Sequence, residues 1–236
     1  MPYKENGKIL DVGCGNGERI AWMGTFGWEL YGVDISKDAC RWAEKRGLKC
    51  HYGGIVDAKF PGHYFDVVVM NHVLEHLHKP LGTMRECRRI LKPDGLLIID
   101  LPNSGGFDSK LFREAWNSID LPRHLYHFTE ATLKDALYKC GFEISSWRRK
   151  YAYSFRDKMA NLAKLNSSQS KFLLFAKAIW FSLRRWKESL FAQDRKQFSV
   201  HLIAYASLLK FADGCFPLER DQDGTINLLD NRPPLL

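Results

Sequence analysis

Two acids and three glycines near the start of the chain carry the first chemical signal. Residues 8–17 read KILDVGCGNG, an apolar run that ends in Asp11 and turns through Gly13, Gly15 and Gly17. A glycine run between strand and helix lets the backbone turn sharply, and lets a ligand approach main-chain N–H groups at a helix N-terminus. A tight turn without a ligand would need only one glycine. Asp11 precedes the first glycine by two residues, where an acid can hold a ligand's positively charged amino group. Asp34 ends the next apolar run, ELYGVD, 21 residues after Gly13; there a carboxylate can accept both hydroxyls of a ribose. A dinucleotide site would share Asp34 but would not favour Asp11, which would repel a pyrophosphate. The pattern favours a nucleoside with a cationic end.

A second group sits in NHVLEHLH. His72, Glu75 and His76 fall at i, i+3 and i+4, one face of a helix expected to begin after the fourth strand. Two readings stand side by side: Glu75 and His76 pair with one another or cap neighbouring turns, or His76, or His124 of PRHLYHF, accepts a proton from a hydroxyl substrate. Arg123 either orients an acidic group of that substrate or makes a structural ion pair. His127 is expected to pack in the HFT turn, with Thr129 as a helix cap. His51, His63, His78 and His201 form no readable constellation.

The elements that must position these groups alternate short apolar runs with amphipathic stretches, as βαβ units do. Strands are expected at 8–13, 29–34, 49–53, 65–71, 95–102 and 142–149. The helices are GERIAWMGTFG, SKDACRWAEKRG, LHKPLGTMRECRRIL and TEATLKDALYKCG. Ser36 is placed to cap a helix start, and Gly47 and Gly141 to end helices. KPDG (92–95) reads as a turn. VVVM and LLII are unbroken apolar runs, as strands covered on both faces should be.

Beyond residue 150 the rhythm breaks. SKFLLFAKAIWFSLRRWKESLF (170–191) and QFSVHLIAYASLLKFA (197–212) read as two apolar helices, and GTINLLDN (224–231) as a final strand. The net charge of +8 concentrates here: residues 151–212 hold 11 Lys+Arg against 3 Asp+Glu, residues 1–150 hold 22 against 19, and residues 213–236 hold 2 against 5. One basic, apolar module suits a helical lid or dimer surface, or an interfacial helix on anionic head groups through 170–212. The first stretch is too short and too lysine-rich to span a bilayer. Nucleic acid ranks last, since no aromatic-basic RNA module is visible. Six scattered cysteines without a C-x-x-C pair, and a start without a long apolar run, suggest reduced thiols in a cytoplasm.

Taken in order, ILDVGCGNG, YGVDIS, FDVVVMNHVLEH, RRILKPDGLLIIDLPN and LPRHLYHFTEATLKDALYKCGFEI resemble a class I S-adenosylmethionine-dependent methyltransferase. The resemblance covers residues 8–149 and is closest to the branch with V-L-E-H and P-R-H-L-x-x-F-T motifs. It implies a doubly wound, mostly parallel seven-stranded α/β sheet with an antiparallel last strand, here supplied by 224–231. It divides the chain into a cofactor-binding core (1–150), a helical insert shaping the acceptor pocket (151–222), and a last strand and tail (223–236). By this resemblance Asp11, Gly13, Cys14 and Gly15 cradle the methionine end of S-adenosylmethionine. Asp34 takes the ribose, Ile35 and Ile55 pack on adenine, and Asn71 and His72 lie beside the sulfonium. His76 and His124 are the candidate catalytic groups for O-methylation of a small-molecule, glycan or lipid-linked acceptor.

The V-L-E-H stretch is also similar to ubiquinone-pathway O-methyltransferases, where acids and a histidine on this face can hold a divalent cation. His72 stands where an acid would be expected, and magnesium prefers oxygen, so no metal is expected. The alternative function is a catalytically silent S-adenosylmethionine-binding protein whose insert docks to a partner or a membrane. The short MPYKENG ahead of the first strand favours that alternative, because relatives often cover the cofactor with residues placed there. A nicotinamide-dependent oxidoreductase is a weaker rival, disfavoured by Asp11.

Overall fold

The computed structural model describes residues 6–150, 201–209, 218–220 and 226–228. Seven strands share one sheet: β1 (Lys8–Val12), β2 (Glu29–Asp34), β3 (Lys49–Tyr52), β4 (Phe65–Asn71), β5 (Leu91–Pro102), β6 (Phe142–Lys150) and β7 (His201–Leu208). Their order is β3-β2-β1-β4-β5-β7-β6. Only β7 runs antiparallel, pairing with β5 on one side and β6 on the other. The doubly wound, mostly parallel sheet is therefore present.

Alternation along the strands sorts the core into two layers. Leu10, Val12, Val33, Val68, Met70, Leu97 and Ile99 face one side, against Met84 and Cys87 of α3 (Pro80–Ile90) and Leu133 and Leu137 of α5 (Glu130–Lys139). Ile9, Leu30 and Val67 face the other, against Ile20 of α1 (Glu18–Ala21) and Ala43 of α2 (Lys37–Lys45). Covered on both faces, β4 and β5 need apolar residues at nearly every position. The helix signals hold: Ser36 accepts from the Ala39 N–H at 3.3 Å. Thr129 and Thr132 form a reciprocal capping box. Gly47 and Gly141, at φ +87° and +79°, follow the ends of α2 and α5.

Four expectations are corrected. Residues 201–208, read as part of a helix, form the antiparallel strand β7. An unbroken apolar run buried on both faces has no period to tell strand from helix, and its sixteen-residue length favoured the wrong choice. Ile226–Leu228, read as the last strand, pairs instead with Leu218–Arg220 in a separate two-stranded sheet. The KPDG turn belongs to β5, which starts at Leu91. A short helix, α4 (Phe107–Phe112), and two 3₁₀ turns carry a small cluster of Phe112, Ala115 and Trp116 between β5 and α5, where no element was expected. The apolar stretch 170–191 lies outside the described residues, as does most of the insert. Among the described residues no helix is long and apolar enough to cross a membrane.

Candidate active site

The parallel strands bring their carboxyl ends to one edge, and the order reverses between β1 and β4, the crevice where open α/β sheets bind ligands. Asp11 lies under this edge, fully buried, with neither carboxylate oxygen hydrogen-bonded. Among the described residues it makes one ion pair, with Arg19, whose Nε is 3.7 Å from Oδ2. Burial pushes the Asp11 pKa up to about 7; Arg19 opposes the shift and Asp34 adds to it.

Above Asp11 the glycine turn is fastened to the end of β2. The Gly13 and Cys14 N–H groups both donate to the Val33 carbonyl, at 2.8 and 3.1 Å. Gly15 N–H donates to one Asp34 oxygen and Ser36 N–H to the other, each at 2.8 Å. A carboxylate has about four acceptor positions, so Asp34 retains capacity for hydroxyls. Gly13 sits at φ +69°, and a Cβ there would lie 2.5 Å from Val73 Cγ2; a Cβ on Gly15 would meet nothing within 4 Å. The turn thus rests on the V-L-E-H segment from below and opens to space above. Cys14 offers only main chain: its Sγ turns into the core, 3.5 Å from that of Cys50, and burial pushes its thiol up to about 11.

Ile35 is 83% exposed beside this turn, and the Gly53 N–H, donating to the Asp34 carbonyl, holds the loop after β3 next to it. Ile55 does not present the open apolar face expected of it. It is 4% exposed within the core, and the exposed neighbour is Val56. The loop's conformation, which one sequence does not specify, decides which of the two points outward.

At the end of β4, Asn71 pairs in register with Asp100 of β5. V-L-E-H forms a 3₁₀ turn, Leu74–His76, instead of a long helix face, and its groups split two ways. His72 Nδ1 lies 3.1 Å from Glu75 Oε1, so Glu75 pairs with His72 and not with His76. His76 donates from Nδ1 to the Arg123 carbonyl at 2.9 Å, and its ring meets that of His124 at 4.7 Å. His124 is buried and donates from Nδ1 to the Ser118 carbonyl at 2.7 Å. Carbonyls only accept, so both rings carry Nδ1–H, and in the neutral form of each ring Nε2 is the acceptor. The P-R-H-L loop is stitched to this turn by Leu125 and Tyr126 N–H groups donating to the Glu75 carbonyl. Arg123 makes an ion pair with Asp120 at 2.9 Å, the structural one of its two readings.

Three neighbours escaped the sequence: Asp120 near His124 (3.9 Å), and Asp100 and His201 beside His72. The helical reading of 197–212 carried His201 away from the sheet, so no pattern joined it to the others.

A family described as a methyltransferase domain matches residues 2–146. The chain belongs to that methyltransferase family. A Cereibacter sphaeroides protein named ubiquinone biosynthesis O-methyltransferase is 31% identical over 146 residues, 58% of this chain and 59% of the relative. An Actinobacillus pleuropneumoniae protein of the same name is 33% identical over 118 residues, 44% and 50% of the two chains. This chain thus spans only part of the length of these relatives. A solved S-adenosylmethionine-dependent methyltransferase from Archaeoglobus fulgidus superposes with a TM-score of 0.58 at 25% identity, covering 86% of this chain and 87% of its own. One from Methanosarcina mazei, at 20% identity and a TM-score of 0.59, shares the fold over 88% of this chain and 95% of its own.

The cofactor of this methyltransferase is S-adenosylmethionine, and the residues present fit it. An orphaned buried carboxylate lies under a turn whose glycines leave open space above Gly15, and Asp34 stands at the next strand tip. Bound there, the sulfonium supplies an already activated methyl group.

Proposed function

We propose that this methyltransferase transfers the methyl group to an oxygen of a small-molecule, glycan or lipid-linked acceptor. Asp11 would take the cofactor's ammonium, the Gly13–Gly15 main chain its carboxylate end, Asp34 its ribose, and Ile35 with Val56 the adenine. Asn71 and His72 would border the sulfonium. Alignment of the acceptor supplies most of the rate, and a hydroxyl acceptor adds the need to lose a proton. The observation that carries the reading is the His76–His124 pair, two imidazoles in ring contact, each held at Nδ1 by a backbone carbonyl so that Nε2 is the atom left to take a proton. The names of the curated relatives support oxygen as the acceptor atom.

The test is formation of S-adenosylhomocysteine with a panel of phenol, alcohol and amine acceptors. On the best hydroxyl acceptor, His76→Ala and His124→Gln are each expected to lower kcat about a hundredfold. The KM for S-adenosylmethionine should stay put. An unchanged kcat in both variants would remove the pair from the chemistry.

β6 ends and β7 begins at the carboxyl edge of the sheet, and we assign the acceptor pocket to the segment that joins them. Its excess of Lys+Arg and its aromatic residues suit an anionic membrane surface. The protein is expected to sediment with phosphatidylglycerol vesicles and to be released near 1 M salt, where the Debye length falls to about 3 Å. Equal recovery in the supernatant with and without vesicles would restrict the acceptor to freely soluble molecules.

A further inference from the structure

Three strand ends converge on a group of side chains of which the proposed reaction uses only His72, at the border of the sulfonium. His72 follows β4, Asp100 lies in β5 and His201 begins β7; each offers one ligand atom, and these atoms lie within 4.8 Å of one another. We infer that they form a binding site for a divalent transition cation of the Zn2+ class.

The donor set selects the ion. Two imidazole nitrogens and one carboxylate oxygen suit Zn2+ and its first-row neighbours, whereas Mg2+ requires oxygen donors. Donors bound at about 2.1 Å in a tetrahedral site stand about 3.4 Å apart, so the side chains must close by roughly an ångström. The exposed His72 ring has room to move. Its main chain is pinned, the N–H donating to the Asp100 carbonyl at 2.9 Å with φ at +54°. A non-glycine residue held there is strained, and persists where its surroundings over-determine it. His201 Nδ1 already lies 3.1 Å from Asp100 Oδ1, and its ring meets that of His72 edge to face at 4.8 Å.

The surroundings add a second shell. His72 Nδ1 faces Glu75 Oε1, which fixes the ring and leaves Nε2 for a metal, the carboxylate–histidine arrangement common around bound zinc. Glu75 is 1% exposed and its Oε2 has no hydrogen-bond partner. A carboxylate buried in this way is relieved by a cation close by. Three protein ligands leave a fourth position for water or an acceptor oxygen.

The experiment uses the untagged, metal-stripped full chain, titrated with Zn2+ by calorimetry and with Co2+ by visible absorption. One equivalent of each should bind, and Mg2+ should give no heat. His201→Ala and Asp100→Asn should each weaken Zn2+ binding at least a hundredfold, since even outer-shell partners are worth about 10–100-fold. Metal-free melting and affinity for S-adenosylhomocysteine should be retained. His201→Gln, of similar length, serves if the alanine variant melts early. His76→Ala should leave Zn2+ binding intact, because Glu75, His76 and His124 form a separate group of possible ligands. Absence of binding to the wild type overturns the site, as does binding indifferent to both His201→Ala and Asp100→Asn. Loss in His76→Ala alone overturns it too. Neither readout needs methyl transfer, so the result stands apart from that of the acceptor assays.

Discussion

Affinity for S-adenosylhomocysteine is expected to fall about tenfold for each pH unit below 7, reaching about a hundredfold at pH 5. The cause is Asp11, whose pKa burial raises to about 7. The ligand carries the methionine ammonium but no sulfonium, so its head group reads the state of this carboxylate. At pH 5 the unliganded carboxyl is neutral and must give up its proton before it can pair. Calorimetry in buffers of different ionisation enthalpy should show a proton released on binding in this range. The stability of the unliganded protein follows the opposite course. A group whose folded pKa lies above its ordinary value favours the fold most below about 4, and that contribution is lost as pH rises through 7. Asp11→Asn should therefore flatten the binding profile, weaken binding above pH 7, and raise the unliganded melting temperature at pH 8 by about 2–4 °C per kcal/mol recovered. A wild-type affinity level from pH 5 to 7 would place the ammonium elsewhere.

Gly13→Ala is expected to eliminate measurable cofactor binding and to cost the fold about 2–4 kcal/mol, or about 5–15 °C in melting temperature. Two effects add. The residue sits at φ +69°, which disfavours any side chain, and the new Cβ would lie 2.5 Å from Val73 Cγ2. Relief requires the turn to lift from the V-L-E-H segment, and with it the N–H groups that Val33 and Asp34 hold in place. Gly47→Ala is the matched control: its φ is +87°, yet nothing lies within 4 Å of its Cβ. It should lose only the backbone contribution and bind cofactor normally. Equal damage from both substitutions would show that the contact with Val73 is unimportant.

Much of this protein is legible in order of residues alone. Strands β1 to β4 and β6, and helices α2, α3 and α5, announce themselves because period, caps and glycine stops agree locally. Asp11 and Asp34 are legible for the same reason: each is fixed at a strand tip by the run before it. The limits appear where local pattern says nothing. Ile55 and Val56 are adjacent apolar residues on one loop, and only its path decides that Ile55 is buried and Val56 exposed.

The sequence by itself determined the sheet's parallel half and the glycine turn, with an acid at each of the first two strand tips. These depend on neighbours a few residues apart, where sterics and periodicity act without help. The tertiary structure alone decided that His201 belongs to a strand threaded between β5 and β6, 101 residues from the Asp100 it meets. It alone brought His76 onto His124 and turned Glu75 toward His72. An apolar run buried on both sides carries no period, and contacts made by three strand ends and one loop are set by how layers pack. No spacing along the chain encodes them.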